Sequence, residues 1–331
     1  MIITRTPFRI SFFGGGTDYP PWFREHSGAV LSTTIDKYCY ISIRHLPQFF
    51  DHKHRIVYSQ IENVNTLEEI DHPAVRAVLQ SHNIQEGLEI HHDGDLPARS
   101  GLGSSSSFTV GLVNGLRAMN GKKSNKKLLA QEAIHIEQNL IGENVGSQDQ
   151  IAAAYGGFNK IDFHLDDTFT VEPVIFKKER KELLQSHLML CFTGFSRIAS
   201  EIAKSKIDNL KSKEVELKQM QAMVDEGIEI LQDMDRPIGD FGRLLHQAWQ
   251  LKRGLSTRVS TTEIDDIYSV AIKAGALGGK ILGAGGGGFL LLFAEPEKQK
   301  AIKEALPHLV HVPFAFENSG SRVVLYEPNG F

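Results

Sequence analysis

Residues 96–108, LPARSGLGSSSSF, combine two glycines with four consecutive serines at a point where the predicted secondary structure changes. Residues 88–91 alternate apolar and polar side chains like a short strand, and residues 108–119 show helical spacing of apolar side chains up to Gly121. One of the serines is expected to be the N-cap of that helix. Uncovered backbone N–H groups at the positive end of a helix dipole attract phosphate. The stretch therefore predicts a phosphate-binding loop between a strand and a helix.

Two common phosphate-binding motifs do not fit this stretch. A P-loop requires Lys and then Ser or Thr after its last glycine, whereas Gly103 is followed by Ser104. A dinucleotide-binding fingerprint requires a third glycine where Ser106 stands. Residues 283–288, GAGGGG, match that fingerprint, but the strand-like FLLLF follows them instead of a helix. For the glycine-serine turn taken alone, a small-residue helix start packed against a sheet stays as the alternative.

The composition favours a two-domain protein that binds a small molecule. The chain has 331 residues, of which 41% are hydrophobic and 23% are charged, and its formal net charge is −4. This balance attracts neither nucleic acid nor an anionic membrane. Cys39 and Cys191 are too few for a disulfide framework or a zinc site. No stretch has transmembrane length and residues 1–10 lack a signal-peptide pattern, so we expect a cytoplasmic protein without a membrane span.

The order of the predicted elements indicates an α+β fold. The charged run at residues 177–181 separates a strand-rich part from a helix-rich part, and we therefore place the two domains at 1–180 and 181–331. The predicted strands are residues 2–13, 30–43, 158–163, 169–176, 188–192, 289–293, 309–312 and 322–326. The predicted helices are residues 67–82, 108–119, 124–140 with Ser124 as N-cap, 198–234, 240–251, 263–274 and 297–306.

Three segments carry a resemblance to a known family. Residues 97–107, PARSGLGSSSS, resemble the second motif, P-x-x-x-G-L-G-S-S, of the GHMP kinases. The first and third motifs of that family are matched in order by residues 7–18, PFRISFFGGGTD, and residues 280–289, KILGAGGGGF. The resemblance implies an N-terminal domain like ribosomal protein S5 domain 2 and a ferredoxin-like C-terminal domain, with the active site in the cleft between them. It also implies phosphoryl transfer from ATP with Mg²⁺ as the metal.

The resemblance assigns the ATP phosphates to the loop of the second motif, at Pro97, Ser100, Gly101, Leu102, Gly103, Ser104, Ser105 and Ser106. In the family, Mg²⁺ is held by a serine at the start of the following helix and by a glutamate on the next helix. Ser105 and Glu137 match these positions, and Ser104 and Ser106 stay open as alternatives to Ser105.

A second block points to the group that handles the acceptor hydroxyl. From Glu137 onward, the spacing of Gly142, Asn144, Gly146 and Asp149 resembles the galactokinase block around its catalytic aspartate. By this likeness Asp149 is the general base or the hydroxyl-orienting group, although an aspartate at a helix start is also a common N-cap.

The first motif supplies the remaining catalytic and sugar-binding positions. Arg9 and Asp18 match the arginine and the aspartate of the galactokinase motif. The likeness places Arg9 near Asp149, where it keeps the aspartate ionised, and gives Asp18 the role of accepting hydrogen bonds from sugar hydroxyls.

The substrate prediction rests on a departure from galactokinase. Gly15 and Gly16 stand where galactokinase has Glu-His, and this version of the motif resembles the bacterial D-glycero-D-manno-heptose 7-phosphate kinases, as do residues 245–253 and 194–200. The resemblance implies phosphorylation of the anomeric hydroxyl to the 1,7-bisphosphate. The residues predicted to contact this substrate are Gly15, Gly16, Thr17, Asp18, Arg197, Lys252, Gly285 and Gly286.

Several alternatives stay open at this point. A cation must meet the sugar phosphate, and Arg99 and Arg253 are alternatives to Arg197 and Lys252. A kinase for an unphosphorylated sugar, such as fucose or galactose, and a sugar sensor without turnover are the competing functions. The protein is expected to be a monomer or a homodimer.

Overall fold

The computed structural model describes residues 1–98, 100–194 and 199–328. The helices are α1 Pro20–His26, α2 Pro73–Ser81, α3 Ser104–Met119, α4 Lys126–His135, α5 Gln148–Tyr155, α6 Lys178–His187, α7 Ala199–Asn209, α8 Glu214–Gln232, α9 Gly239–Gly254, α10 Thr262–Lys273 and α11 Pro296–Ala305. The strands are β1 Ile2–Phe13, β2 Gly28–His45, β3 His54–Val57, β4 Ile61–Val64, β5 Leu88–Gly94, β6 Phe158–Phe163, β7 Phe169–Pro173, β8 Leu188–Phe192, β9 Gly278–Ile281, β10 Phe289–Phe293, β11 Val310–Val312, β12 Phe316–Glu317 and β13 Arg322–Tyr326. A π-helical turn, Ile136–Leu140, continues α4, and a 3-10 turn, Leu210–Lys213, joins α7 to α8.

The larger sheet is built around the long strands β1 and β2. Its strand order is β13-β1-β2-β5-β3-β4, and β12 and β6 also pair with β2, with β7 beyond β6. The β1 register shifts between Pro7 and Arg9, because proline has no N–H to donate to the ladder. The Arg9 N–H donates instead to Leu102 O at 3.0 Å. This irregularity ties β1 to the predicted phosphate loop.

Helix α3 lies close against β1 and β2. A Cβ atom at Gly111 would stand 2.9 Å from Thr6 Oγ1, and one at Gly115 would stand 2.7 Å from Ile43 Cδ1. These two glycines therefore let the helix approach the sheet more closely than alanine would. The approach brings the N-terminus of α3 beside the middle of β1.

The smaller sheet has the order β11-β8-β10-β9, with antiparallel pairs throughout. Every residue of β10, FLLLF, is buried, as the uninterrupted apolar run predicts. The last strands, β12 and β13, pair with β2 and β1 of the larger sheet. The domain boundary near residue 180 stays a prediction, and the C-terminal segment returns to the N-terminal sheet.

One apolar core joins the two parts of the chain at the end of β1. The Phe241 ring of α9 lies 5.3 Å from the Phe12 ring and 5.0 Å from the Phe13 ring, both in edge-on geometry that favours aromatic pairs. A Cβ atom at Gly227 of α8 would stand 2.7 Å from Phe13. The turn that follows Phe13 is therefore fixed between the sheet and the C-terminal helices.

Some helix boundaries differ from the sequence-based prediction. Helix α2 begins at Pro73 and not at residue 67, because proline fits the first turn and restricts the residue before it, and His72 accepts from the Val75 N–H. The N-cap position of α4 is Asn125, not Ser124, and its side chain accepts from the Leu128 N–H. The helix predicted over residues 198–234 is broken into α7, the 3-10 turn and α8.

Within the described ranges, none of the helices combines the length and apolarity that crossing a bilayer requires.

Candidate active site

The predicted phosphate loop is clamped between β1 and the glycine-rich third motif. Gly101 and Gly103 have φ of 87° and 74°, a left-handed region that favours glycine. The Phe289 N–H donates to Ser100 O at 3.0 Å, and a Cβ atom at Gly288 would stand 2.2 Å from the same oxygen. The second and third motifs therefore touch backbone to backbone.

The N-cap of α3 is Gly103, and no side chain caps this helix. The prediction that a serine is the N-cap was wrong, because the left-handed turn at Gly103 places the serines inside the helix. In the first turn of a helix the N–H groups have no intrahelical acceptor. The loop thus presents backbone donors and a helix dipole, as phosphate binding requires.

Arg9 and Asp149 form a bidentate ion pair beside this loop. Arg9 Nε and Nη2 donate to the two Asp149 carboxylate oxygens at 2.7 Å each, and Nη1 donates to Gly101 O at 2.6 Å. The Arg9 side chain is 4% exposed, whereas that of Asp149 is 26% exposed. Asp149 Oδ2 lies 3.4 Å from the position of a Cβ atom at Gly103. The carboxylate is therefore oriented by arginine, next to the phosphate loop, and open on one side.

Glu137 is buried on the π-helical turn that follows α4. Its Oε2 accepts from Ser106 Oγ at 2.9 Å and from Gln150 Nε2, and its Oε1 has no hydrogen-bond partner among the described residues. Burial raises the pKa of this carboxyl to about 7. Ser105 is exposed one position earlier on α3, so the serine that meets Glu137 is Ser106 and not the predicted Ser105.

These two side chains could hold Mg²⁺ only as part of a larger ligand set. Within the described residues, no group of three or more His, Cys, Asp or Glu side chains is placed to bind a metal. Mg²⁺ is commonly bound through one or two protein ligands together with substrate phosphates and water. The unpartnered Glu137 Oε1, next to a serine hydroxyl and the phosphate loop, fits that kind of site.

Asp18 lines a pocket together with Arg9 and Asp149. Its Oδ1 accepts from the Gly16 N–H at 2.9 Å, and its Oδ2 accepts from Gln148 Nε2 at 3.0 Å. Burial raises the pKa of this carboxyl, and the backbone hydrogen bond from Gly16 opposes the shift. Thr17 is not among the residues that line this pocket, and its Oγ1 lies 2.9 Å from both Gly14 O and Ala29 O, which share its one proton and fix the side chain within the turn.

The structure brings most of the predicted catalytic and sugar-binding residues into one pocket. Those that line it are Arg9, Gly15, Gly16, Asp18, Asp149 and Lys252. Gly285 and Gly286 instead pack against Val259, whose carbonyl accepts from the Gly286 N–H. From the third motif, the pocket is lined by Gly283 and Ala284.

The predicted phosphate-binding cations divide into three cases. Arg197 and Arg99 lie outside the described residues. Arg253 forms an ion pair with Asp265 at 2.7 Å. Lys252 does reach the pocket, and its Nζ donates to Ile281 O and Gly283 O at 2.7 Å each.

Two further lysines in the pocket were not predicted. Lys280 donates to Phe12 O at 2.8 Å, and Lys206 of α7 stands 5.3 Å from the centre of the Tyr19 ring. Burial lowers the pKa of Lys280 to about 7 and that of Lys206 to about 8, and it also holds the pKa of Lys252 well below the usual range. Lys280 could have been suspected, because it opens the third motif next to apolar Ile281, whereas Lys206 looks like any helix-surface lysine.

Comparison with known proteins places the chain in a family. The models of the GHMP kinases N terminal domain and the GHMP kinases C terminal match residues 66–157 and 230–311. The chain is 30% identical over 315 residues to the D-glycero-alpha-D-manno-heptose 7-phosphate kinase of Campylobacter jejuni, covering 92% of this chain and 93% of the relative. It is 26% identical to the galactokinase of Pyrococcus furiosus, covering 92% of both.

A solved structure shows the same architecture. The crystal structure of a D-glycero-D-manno-heptose 1-phosphate kinase from Bacteroides thetaiotaomicron superimposes with a TM-score of 0.80 at 24% identity, covering 98% of this chain and 99% of that one. The two-domain fold, the motif order and the pocket define a small-molecule kinase. The chain belongs to the GHMP kinases, and within that family it is an ATP-dependent sugar kinase. The predicted family, fold class and enzyme class are confirmed.

Proposed function

We propose that this sugar kinase uses ATP and Mg²⁺ to phosphorylate the anomeric hydroxyl of D-glycero-D-manno-heptose 7-phosphate, giving the 1,7-bisphosphate. The observation that carries the proposal is the open side of Asp149, which Arg9 orients between the phosphate loop and a lysine-rich pocket. The activity printed for the Campylobacter jejuni relative supports the choice of sugar.

Asp149 is the group that handles the acceptor proton. The hydroxyl oxygen attacks the γ-phosphorus, the bond from that phosphorus to the leaving ADP oxygen breaks, and the hydroxyl proton passes to Asp149. Arg9 holds both carboxylate oxygens, and each oxygen keeps a further lone pair that can accept the proton. The loop N–H groups hold the phosphates of ATP within reach.

Glu137 and Ser106 are the protein groups that we assign to Mg²⁺, with Ser106 in place of Ser105. When bound, Mg²⁺ neutralises phosphate charge during the transfer. The protein contributes a buried carboxylate that exchanges a proton for the cation, and a hydroxyl already directed at that carboxylate.

The charge of the pocket supports an anionic acceptor. Among the described residues, the pocket is lined by four cationic side chains, Arg9, Lys206, Lys252 and Lys280, and by two carboxylates, Asp18 and Asp149. With a neutral sugar, the buried lysines could relieve this excess of positive charge only by losing protons. A phosphorylated sugar compensates it.

A coupled ADP-release assay with a panel of acceptors tests the proposal. We expect turnover with heptose 7-phosphate well above that with free heptose, galactose or fucose, and phosphorus NMR of the product should show an anomeric phosphate. Asp149→Asn enzyme, purified in the same way, controls for contaminating kinases. A preference for free galactose or fucose would overturn the proposed substrate.

A further inference from the structure

The pocket contains a buried ammonium group whose charge no hydrogen bond satisfies. Lys206 is 5% exposed, and in the described part of the chain its Nζ makes neither a hydrogen bond nor an ion pair. Its one contact of this kind among the described residues is the face of the Tyr19 ring, 5.3 Å away, and a buried charge without hydrogen bonds is costly, which a bound anion would relieve.

The other two lysines of the pocket are already engaged with the backbone. Lys252 uses two of its three N–H donors on carbonyl oxygens, and Lys280 uses one. Lys206 keeps all three. Of the three ammonium groups, Lys206 therefore has the largest capacity for a ligand.

The surrounding charges indicate what that ligand carries. The Lys206 ammonium is attracted first by Asp18 and then by Asp149, and repelled by Arg9. Since Arg9 already engages Asp149 through two hydrogen bonds, the four cations and two carboxylates of the pocket leave a formal excess of two positive charges. A phosphate monoester brings about −1.5 to −2 charges at neutral pH. Because Asp18 is the carboxylate that we predict to meet the sugar hydroxyls, the position of Lys206 in the same pocket favours the acceptor's phosphate over the γ-phosphate of ATP.

The pocket has free space at Gly15, close to Asp18 in the chain. A Cβ atom at Gly15 would have only Ser11 Oγ at 3.7 Å and Gln148 Nε2 at 3.8 Å within contact distance. Ser11 Oγ is buried and, among the described residues, has no hydrogen-bond partner. The φ of Gly15 is not in the left-handed region, so its backbone does not require glycine. What glycine provides here is space next to an unused hydroxyl.

We propose that Lys206 binds the phosphate group of the acceptor sugar, and that it thereby selects phosphorylated over free sugars. The gap at Gly15 admits the part of the acceptor that a side chain at this position would displace. This inference rests on the proposed function, because it presumes that the acceptor is a sugar phosphate.

The test is the ratio of kcat/KM for heptose 7-phosphate to kcat/KM for free heptose, at saturating ATP. Replacing a hydrogen-bonded charge costs about 10- to 100-fold in affinity. Lys206→Met should lower this ratio by about that factor. Its kcat/KM for free heptose and its KM for ATP should stay nearly unchanged. Lys206→Arg keeps the charge and should retain most of the ratio.

A second variant keeps the test usable if Lys206→Met does not fold. Gly15→Glu places a carboxylate in the gap and should also lower the ratio. Equal losses on both sugars in Lys206→Met would overturn the inference, because they would show that Lys206 only neutralises carboxylates or contacts ATP.

The wild-type enzyme separates this inference from the proposed function. If it prefers heptose 7-phosphate and Lys206→Met keeps that preference, only the role of Lys206 is wrong. If it prefers a different sugar phosphate over the corresponding free sugar, the proposed substrate is wrong. The ratio of kcat/KM values for that pair, measured in wild type and in Lys206→Met, then tests whether Lys206 binds the phosphate. No preference for any phosphorylated sugar would overturn both.

Discussion

The Asp149 carboxylate is both held in place and partly exposed. Its carboxylate is oriented by two hydrogen bonds from Arg9, and it is the more exposed partner of that pair. Arg9 in turn owes its position to the irregular β1 ladder after Pro7, which directs its backbone to the phosphate loop. The geometry of this ion pair, to which we assign the catalytic role, thus depends on a proline inside a strand.

Replacing Asp149, the proposed catalytic carboxylate, should separate binding from chemistry. Asp149→Asn keeps the size of the side chain but accepts a proton poorly, so we expect kcat to fall by about 100-fold or more and the Kd for ATP to change little. Turnover by coupled assay and nucleotide binding by calorimetry measure the two effects. Asp266→Asn, at an exposed position on α10, is the matched control. Wild-type turnover in Asp149→Asn would remove this residue from the mechanism.

The metal role of Glu137 predicts a specific pH dependence. Burial raises the pKa of this carboxyl to about 7, so below pH 7 a cation must displace a proton. The apparent Mg²⁺ affinity should therefore rise with pH up to about 7 and then level off. Glu137→Gln has no proton to displace and should bind Mg²⁺ weakly at both pH 6 and pH 8. Mg²⁺ titrations of ATP turnover at the two pH values give the answer, and an unchanged titration in the variant would exclude Glu137 as a ligand.

At the scale of elements, the site depends on the contact between the second and third motifs. Gly288 has φ of 92°, and a Cβ atom there would stand 2.2 Å from Ser100 O. Gly288→Ala should therefore push the phosphate loop away, at a cost of about 1–3 kcal/mol of stability and with weaker ATP binding. Gly254→Ala is the control, since that glycine ends α9 with open space around it. Urea denaturation and ATP calorimetry measure both effects, and wild-type values for Gly288→Ala would show that the contact does not matter.

The elements that hold the motifs were predictable because their signals are local. The apolar run FLLLF predicted β10, because this pattern depends only on neighbouring residues, and residues 2–13 were likewise predicted as the strand that β1 forms. The caps at Gly103 and Asn125 were missed because several adjacent residues can fill a cap, and tertiary packing selects among them.

The same difference between local signals and tertiary packing decides which residues of the site could be predicted. Arg9, Asp18 and Asp149 lie in motifs whose spacing could be recognised, and they do meet in one pocket. Ser106 was left as an alternative because the sequence does not show which residue of α3 faces Glu137. Lys206 could not be predicted, because its burial arises from the packing of α7 near Tyr19 and not from its own helix.

At the scale of the whole molecule, one core spans the site. Phe241 is fully buried, and its ring meets Phe12, Phe13 and Phe293, which belong to both sheets. Phe241→Ala should cost about 3–5 kcal/mol of unfolding free energy. Phe49→Ala, at a side chain that is 93% exposed, should stay within about 0.5 kcal/mol of wild type. Urea denaturation followed by circular dichroism measures both, and a small loss for Phe241→Ala would mean that the two parts of the chain are stabilised separately.

The buried lysines make the stability of the ligand-free protein depend on pH. The pKa of Lys280 is lowered to about 7 and that of Lys206 to about 8, whereas an unfolded lysine titrates near 10.4. Between these values the unfolded chain binds more protons than the folded one, so the unfolding free energy should rise as pH increases from about 7 to 9.5.

A sugar phosphate favours the charged lysines, so the stabilisation that it brings should be largest near pH 7 and should decrease above pH 8. Thermal melting at pH 7, 8 and 9.5, with and without heptose 7-phosphate, measures both trends. Lys206→Met should flatten them, and the matched change at an exposed residue, Lys300→Met, should not. The same slope in wild type and in Lys206→Met would show that Lys206 does not lose its proton in the folded protein over this range.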